Sequence, residues 1–404
     1  MEVKIEKLDN LGKGIAYIDA KICFIDNALP NEVVEVDITK ENKKYKKAMC
    51  KKIIKPSTMR KENICPYHEL CGGCSLGHIK YEEALNYKKN KLKEIIYKNT
   101  NIKIEPTIIK NDKVYNYRNK ITLKIENFKW GYYNSESHNF ISIKKCLLAK
   151  DAINKIVENK RVFNIKNGEI TIRCNNNDEI LISIKTEEKF NINYEKIKDL
   201  NIVGIVVNNK TIYGQNYFYH EINNNKYKIS YNSFFQINDC ICSKIFDILN
   251  EKEIGNNVLD LYCGVGSLGL SISNKINKLY GIEIIENAII DAKLNAEINK
   301  IKNAKYFVGK VENNLTNIND NIDTIIVDPP RKGLCNIDDI LKFNSKKIIY
   351  ISCDPITLGR DLKELTKFYE IEDCYALDMF PNTYHIESMV ILNRKNNTNE
   401  SNNN

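Results

Sequence analysis

The residues best equipped for chemistry lie in the last third of the chain, and the first of them is a cysteine. Cys353 stands in "YISCDP", where the apolar run "KKIIYIS" stops and "ITLGRDLKEL" begins with the Asp and Thr signals of a helix start. Strand ends in parallel sheets are where sites gather, although a lone cysteine is more often a small core hydrophobe. Other groups fall at comparable places. Gly264, Gly266 and Gly269 spell G-x-G-x-x-G after "NNVLDLYC", Glu283 ends "KLYGIEI", Asp328 precedes two prolines in "VDPPRKG", and Glu387 opens the final run "ESMVIL". Taken alone, the glycines read as a dinucleotide fingerprint, so a nicotinamide-linked dehydrogenase has to be weighed.

An acidic residue after the second strand holds ribose hydroxyls, so Glu283 does not separate a dinucleotide from S-adenosylmethionine, which also carries adenosine. The Asp-Pro-Pro turn does separate them. Prolines lack amide donors and fix φ, which makes a stiff turn able to hold a flat ring beside a cofactor. With "DLYCGVGSLGL" and "YGIEI", this turn is similar to those of class I methyltransferases. Methylation of a nucleobase amine needs a polar clamp and no thiol, whereas carbon methylation needs one. C5 of uracil is too weak a nucleophile to attack a methyl sulfonium, but a thiolate added to C6 gives C5 carbanion character. The C5 hydrogen must then leave as a proton, and a carboxylate is the natural base. Glu387 is the candidate, since the final strand should return beside the site. A free thiol has a pKa of roughly 8.5, so Cys353 needs a lowered value or base-assisted deprotonation. Glu387 alone reads as a solvated or salt-bridged residue, and only the combination with Cys353 after Asp-Pro-Pro reverses the odds.

The elements that position these groups read as a doubly wound α/β sheet over residues 228–395, because strand, glycine loop and helix are followed by strand, helix and further apolar strands. Residues 1–57 read instead as short strands with turn residues between them, a small OB-like β-barrel. The element "KLDNLGKGIA" at residues 7–16, followed by "ALPNE", resembles a TRAM domain, with Asn31 where glycine is usual. From Lys43 to Lys61 the chain carries nine basic residues and no acidic one, within an overall excess of 61 Lys and Arg over 52 Asp and Glu. Such a patch suits phosphate contacts, with a merely solvated face as the alternative. Residues 58–227 form the remaining α+β segment, opened by "CPYHELCGGC". Cys65, Cys71 and Cys74 there have the spacing C-x5-C-x2-C, and Cys146 in "KKCLL" is the candidate fourth thiolate. Glycines between thiols let a backbone wrap an inorganic centre, either zinc, with His68 and His78 nearby in sequence, or a four-iron cluster. The spacing is not that of radical enzymes.

The chain is rich in charge at its start, with no apolar core of a signal peptide and no run long enough to span a bilayer, so a cytoplasmic place and no membrane partner are expected. Thirteen cysteines in a reducing compartment should then be thiols. Residues 396–404 read as a disordered tail, and nothing indicates an obligate protein partner, which gives a monomer as the expectation.

From about residue 4 to 393 the motifs "LGKGIA", "CPYHELCGGCSLGHIKY", "YNYRNKITLKI", "NSFFQIN", "DLYCGVGSLGL", "VDPPRKGL", "YISCDP" and "HIESMVIL" occur in an order that resembles the RNA 5-methyluridine methyltransferases, in the branch acting on 23S ribosomal RNA with a TRAM barrel and an iron–sulfur cluster. The resemblance implies Cys353 as nucleophile and Glu387 as proton acceptor. It further implies Cys65, Cys71, Cys74 and Cys146 as ligands of a [4Fe-4S] cluster, and Gln236, Tyr262, Gly264, Gly266, Ser267, Glu283 and Asp328 as S-adenosylmethionine contacts. Ser267 departs from the asparagine frequent there, and Gln236 has no role on its residue type alone. Phe234 or Phe235 would stack on splayed bases. Cys263, Cys23, Cys50, Cys174, Cys240, Cys242, Cys335 and Cys374 read as packing. A transfer RNA uridine is the alternative substrate, and a non-catalytic RNA-binding assembly factor or a dehydrogenase ranks below both.

Overall fold

The computed structural model describes residues 1–134 and 137–396, so the expected tail lies almost wholly outside the described residues. Two compact units divide the chain: 1–91 with 131–143 and 380–385, and 92–130 with 144–379 and 386–404.

The first unit is built on six strands, Glu2–Lys4, Lys7–Leu8, Gly14–Ile18, Lys21–Asp26, Val33–Glu41 and Tyr45–Lys55, in the order first, fifth, sixth, fourth, third, second. Alternate residues Ala16, Ile18, Cys23, Ile25, Val34 and Val36 face inward and close the core. The turn chemistry follows the sequence. Asp9 Oδ1 accepts from the amides of Leu11 and Lys13 around Gly12, which has φ 81°. Asn31 has φ 68°, the left-handed conformation that glycine adopts freely and asparagine tolerates best among the others, which explains how the substitution is accommodated. Glu32 is fully buried and accepts from Leu29 N, Ser57 N and the Arg60 guanidinium. Within the basic run, Lys46 pairs with Asp19, Lys51 with Asp37 and Arg60 with Glu32, so part of the expected positive face is consumed internally.

The second unit holds an eight-stranded sheet in the order Ala304–Val308, Lys278–Glu283, Asn257–Leu261, Thr324–Val327, Lys347–Ser352, Glu387–Arg394, Tyr369–Leu377, Thr107–Ile109. The first five are parallel, as a doubly wound sheet requires. Glu387–Arg394 is antiparallel to both neighbours. Only residues 378–386 separate it from the preceding strand, too few for the crossover helix that a parallel connection needs. Thr107–Ile109 joins the sheet edge beside Tyr375–Leu377. Its three residues carry no long-range signal, so the sequence reading left them in the central segment. That segment supplies Lys120–Glu126, Gly168–Cys174, Ile180–Lys185, Ile202–Val207 and Lys210–Gly214, paired in that order, and the hairpin Tyr217–Ile222 with Asn225–Ser230.

Candidate functional site

The antiparallel strand decides the geometry. Parallel strands all end at one rim, and only an antiparallel neighbour begins there. Ser352 pairs with Ser388, so the next residues outward, Cys353 and Glu387, face each other across the end of the ladder. Cys353 is half-buried and Glu387 is 3% exposed. Asp354 caps the following helix, Pro355–Leu365, by accepting from Ile356 N at 2.9 Å and Thr357 N at 3.3 Å, which fixes where the strand ends and the thiol projects.

Asp328, half-buried at the end of Thr324–Val327, receives Gln236 Nε2 at 3.4 Å. The stiff turn after it is tied to the Pro355–Leu365 helix: Leu334 N donates to Asp361 Oδ2 at 2.8 Å, and the Arg360 guanidinium donates to the Lys332 carbonyl at 2.8 Å. Burial pushes the Cys353 thiol up to about 11, with the nearby Glu387 and Asp328 carboxyls acting the same way and Arg331 opposing them. Of the two routes expected, a lowered thiol or assisted deprotonation, the raised thiol favours the second. Glu387 is also held well above the usual carboxylate range, first by burial and then by Asp328. Asp328 is raised as well, by burial and by Glu283.

The glycine loop follows Asn257–Leu261. Tyr262 has φ 62°, Gly264 φ 54° and Gly266 φ 81°; a Cβ on Gly266 would lie 2.8 Å from the Tyr306 hydroxyl, so both conformation and space require glycine there. Ser267 opens the short helix Ser267–Ser271. Glu283 accepts from Gly264 N at 3.2 Å and Ile285 N at 2.9 Å, fastening the loop to the end of the second strand. Asp260 is fully buried, receives Gly269 N at 3.0 Å on one oxygen and leaves the other without a hydrogen-bond partner. Burial raises its pKa to about 8. Asp260, Asp361 and Arg331 were within quoted motifs, yet their residue types alone did not mark them.

In the first unit, Cys65, Cys71 and Cys74 are half-buried around the short helix His68–Cys71, which Gly72 ends at φ 67°. Cys146 lies in the second unit. Among the described residues, no group of three or more His, Cys, Asp or Glu side chains is arranged to hold a metal ion. His68 Nε2 and His78 Nδ1 meet at 3.3 Å. Of the cysteines read as packing, Cys335 is exposed and is corrected accordingly.

Residues 80–395 match the family model for tRNA (uracil-5-)-methyltransferase. The chain belongs to that family. As a uracil-5-methyltransferase acting on RNA, it uses S-adenosylmethionine, and a TRAM model matches residues 1–49 of its barrel. It is 33% identical over 450 residues to an uncharacterized RNA methyltransferase of Clostridium acetobutylicum, covering 97% of this chain and 96% of that one. An uncharacterized RNA methyltransferase of Aquifex aeolicus is also 33% identical, covering 98% and 99%. Its fold matches the crystal structure of Pyrococcus abyssi tRNA (uracil-54, C5)-methyltransferase in complex with S-adenosyl-L-homocysteine, with TM-score 0.78 at 24% identity over 97% of this chain and 100% of that one. The methyltransferase's glycine loop leaves room beside its backbone: a Cβ on Gly264 would meet only the Phe234 carbonyl, at 4.0 Å, and the Glu283 carboxyl accepts from the Gly264 amide.

Proposed function

We propose that this methyltransferase modifies C5 of one or two uridines in 23S ribosomal RNA through a covalent enzyme–base adduct. What carries the reading is the register that sets Cys353 opposite Glu387, beside Asp328 and Gln236. The target base leaves its stack, at a cost of a few kcal/mol that is least for a loop. With its proton passed to solvent, the Cys353 thiolate bonds to C6, and the electron pair displaced from the C5–C6 double bond makes C5 nucleophilic. S-adenosylmethionine supplies the methyl group that C5 takes. Glu387 accepts the C5 proton; the electrons of that C–H bond restore the C5–C6 double bond as the C6–S bond breaks and sulfur leaves as thiolate. Gln236, Tyr262, Gly264, Gly266, Ser267, Glu283 and Asp328 are assigned to the cofactor side, and the exposed Phe234 to stacking on a base.

Ribosomal RNA is favoured by the joint presence of barrel and cysteine motif; a transfer RNA uridine is the second reading, suggested by the fold match to an enzyme of that kind. The assignment of Cys65, Cys71, Cys74 and Cys146 to a four-iron cluster rests on spacing and resemblance, and no catalytic step uses it. Brown anaerobic protein with bound iron and sulfide would support it, and colourless protein with stoichiometric zinc would reject it. The function itself is tested by incubating the protein with radiolabelled S-adenosylmethionine and ribosomal or transfer RNA, then analysing nucleosides. Label in 5-methyluridine of 23S RNA, absent with Cys353→Ala, is expected; label in transfer RNA alone selects the second reading, and label in an amine or ribose overturns both.

A further inference from the structure

The helix Glu286–Ile298, with its cap Asn299, presents Asp291, Asn295 and Asn299 at four-residue intervals. These three side chains meet the backbone of the strand Asn225–Ser230 at every second residue. Asn299 accepts from Lys226 N at 2.9 Å and donates to its carbonyl at 2.7 Å; Asn295 does the same at Lys228, at 2.6 and 3.3 Å. Asp291 accepts from Ser230 N at 2.9 Å. Four helical residues rise about 6 Å and two strand residues about 6.6 Å, so one helix face can stand in for a neighbouring strand.

The last rung reaches past the strand. Asp291 also accepts from Ser230 Oγ at 2.9 Å and from Ser233 Oγ at 2.7 Å, while the buried Arg173 guanidinium donates to the carbonyls of Ser230 and Ser233. The turn leading to Phe234 and Gln236 is therefore gripped by a buried carboxylate on one side and a buried cation on the other. Asn295 Nδ2 additionally donates to the Val265 carbonyl in the glycine loop at 3.1 Å, and the same helix starts just after Glu283. Edge protection alone would end at Ser230.

We infer that Asp291 is a positioning residue for base methylation, setting Phe234 and Gln236 through Ser230 and Ser233 in register with the cofactor loop that Asn295 holds. The inference rests on the proposed function for its catalytic consequence, though not for the grip itself. Ser233→Ala removes one contact and leaves the Ser230 rungs, so the variant folds. Asp291→Asn is its companion, keeping shape while losing charge. Amide hydrogen exchange of the protein without RNA should quicken in residues 231–236 in both variants and stay unchanged in 258–270. Affinity for S-adenosylhomocysteine should fall no further than it does in Gln236→Ala, while the single-turnover methylation rate at saturating S-adenosylmethionine falls about tenfold, a split that general destabilisation would not produce. In a Gln236→Ala background the Ser233→Ala loss should shrink, because part of it acts through Gln236. Unchanged exchange in 231–236 overturns the inference, as does a wild-type rate in Ser233→Ala or a loss of equal factor in the Gln236→Ala background. If the wild-type protein makes no 5-methyluridine, the proposed function falls, and the exchange result alone decides whether Asp291 holds the turn.

Discussion

For Cys353, the proposed nucleophile, burial pushes the thiol up to about 11, so little thiolate is expected at neutral pH. A thiol whose pKa lies above the working range gains thiolate about tenfold per pH unit, so the single-turnover rate of adduct formation should climb from about pH 6.5 to 9 instead of peaking near neutrality. Arg331 pulls against the burial. Replacing it by Gln should raise the thiol further, move the rising limb to higher pH and slow adduct formation about tenfold at pH 7.5, with partial recovery at pH 9, readable by quenched-flow trapping. Glu387→Gln should form the adduct yet fail to release product, so a gel-stable protein–RNA complex should accumulate where the wild type turns over. Cys353, Glu283, Asp328 and Glu387 could be singled out because each borders an apolar run. Arg331, Asp260 and Asp361 could not, since a charged residue looks the same in sequence whether it is solvated or buried.

Among the elements, the strand–glycine–helix turn was readable from residue types, as was the succession of parallel strands. Two features of the sheet were not: the antiparallel direction of Glu387–Arg394, and the edge pairing of Thr107–Ile109, both of which depend on partners distant in sequence. Asp260 illustrates the thermodynamic side of the loop. Its folded value, about 8, lies above the unfolded carboxylate value, so its contribution to stability is full below about pH 4 and is lost as pH rises through 8. Asp260→Asn cannot ionise. The melting temperature of the variant relative to wild type should therefore increase between pH 5 and 8 and level off above, in thermal scans of cofactor-free protein; a difference independent of pH would show that the carboxyl is ionised throughout.

For the whole molecule, the strand and turn pattern together with the resemblance indicated an RNA-binding barrel and a sheet enzyme, while the partial internal neutralisation of the basic run could only come from three dimensions. Lys43, Lys44, Lys52 and Lys55 are exposed and, among the described residues, form no ion pair. Replacing all four by Ala should weaken RNA binding similarly for different sequences and make the salt dependence shallower by about three counterions on single-stranded RNA, measured by titration across salt concentrations. An unchanged salt slope would mean that this face does not meet phosphate. The covalent adduct remains the most direct test of the enzyme as a whole. RNA carrying 5-fluorouridine at the target has no C5 proton to lose, so with S-adenosylmethionine it should lock onto the protein, and mass spectrometry of the digested complex should find the nucleotide on the peptide containing Cys353. Normal formation of 5-methyluridine on ordinary RNA with no adduct to the fluorinated one, or with the bond at another residue, would contradict the account.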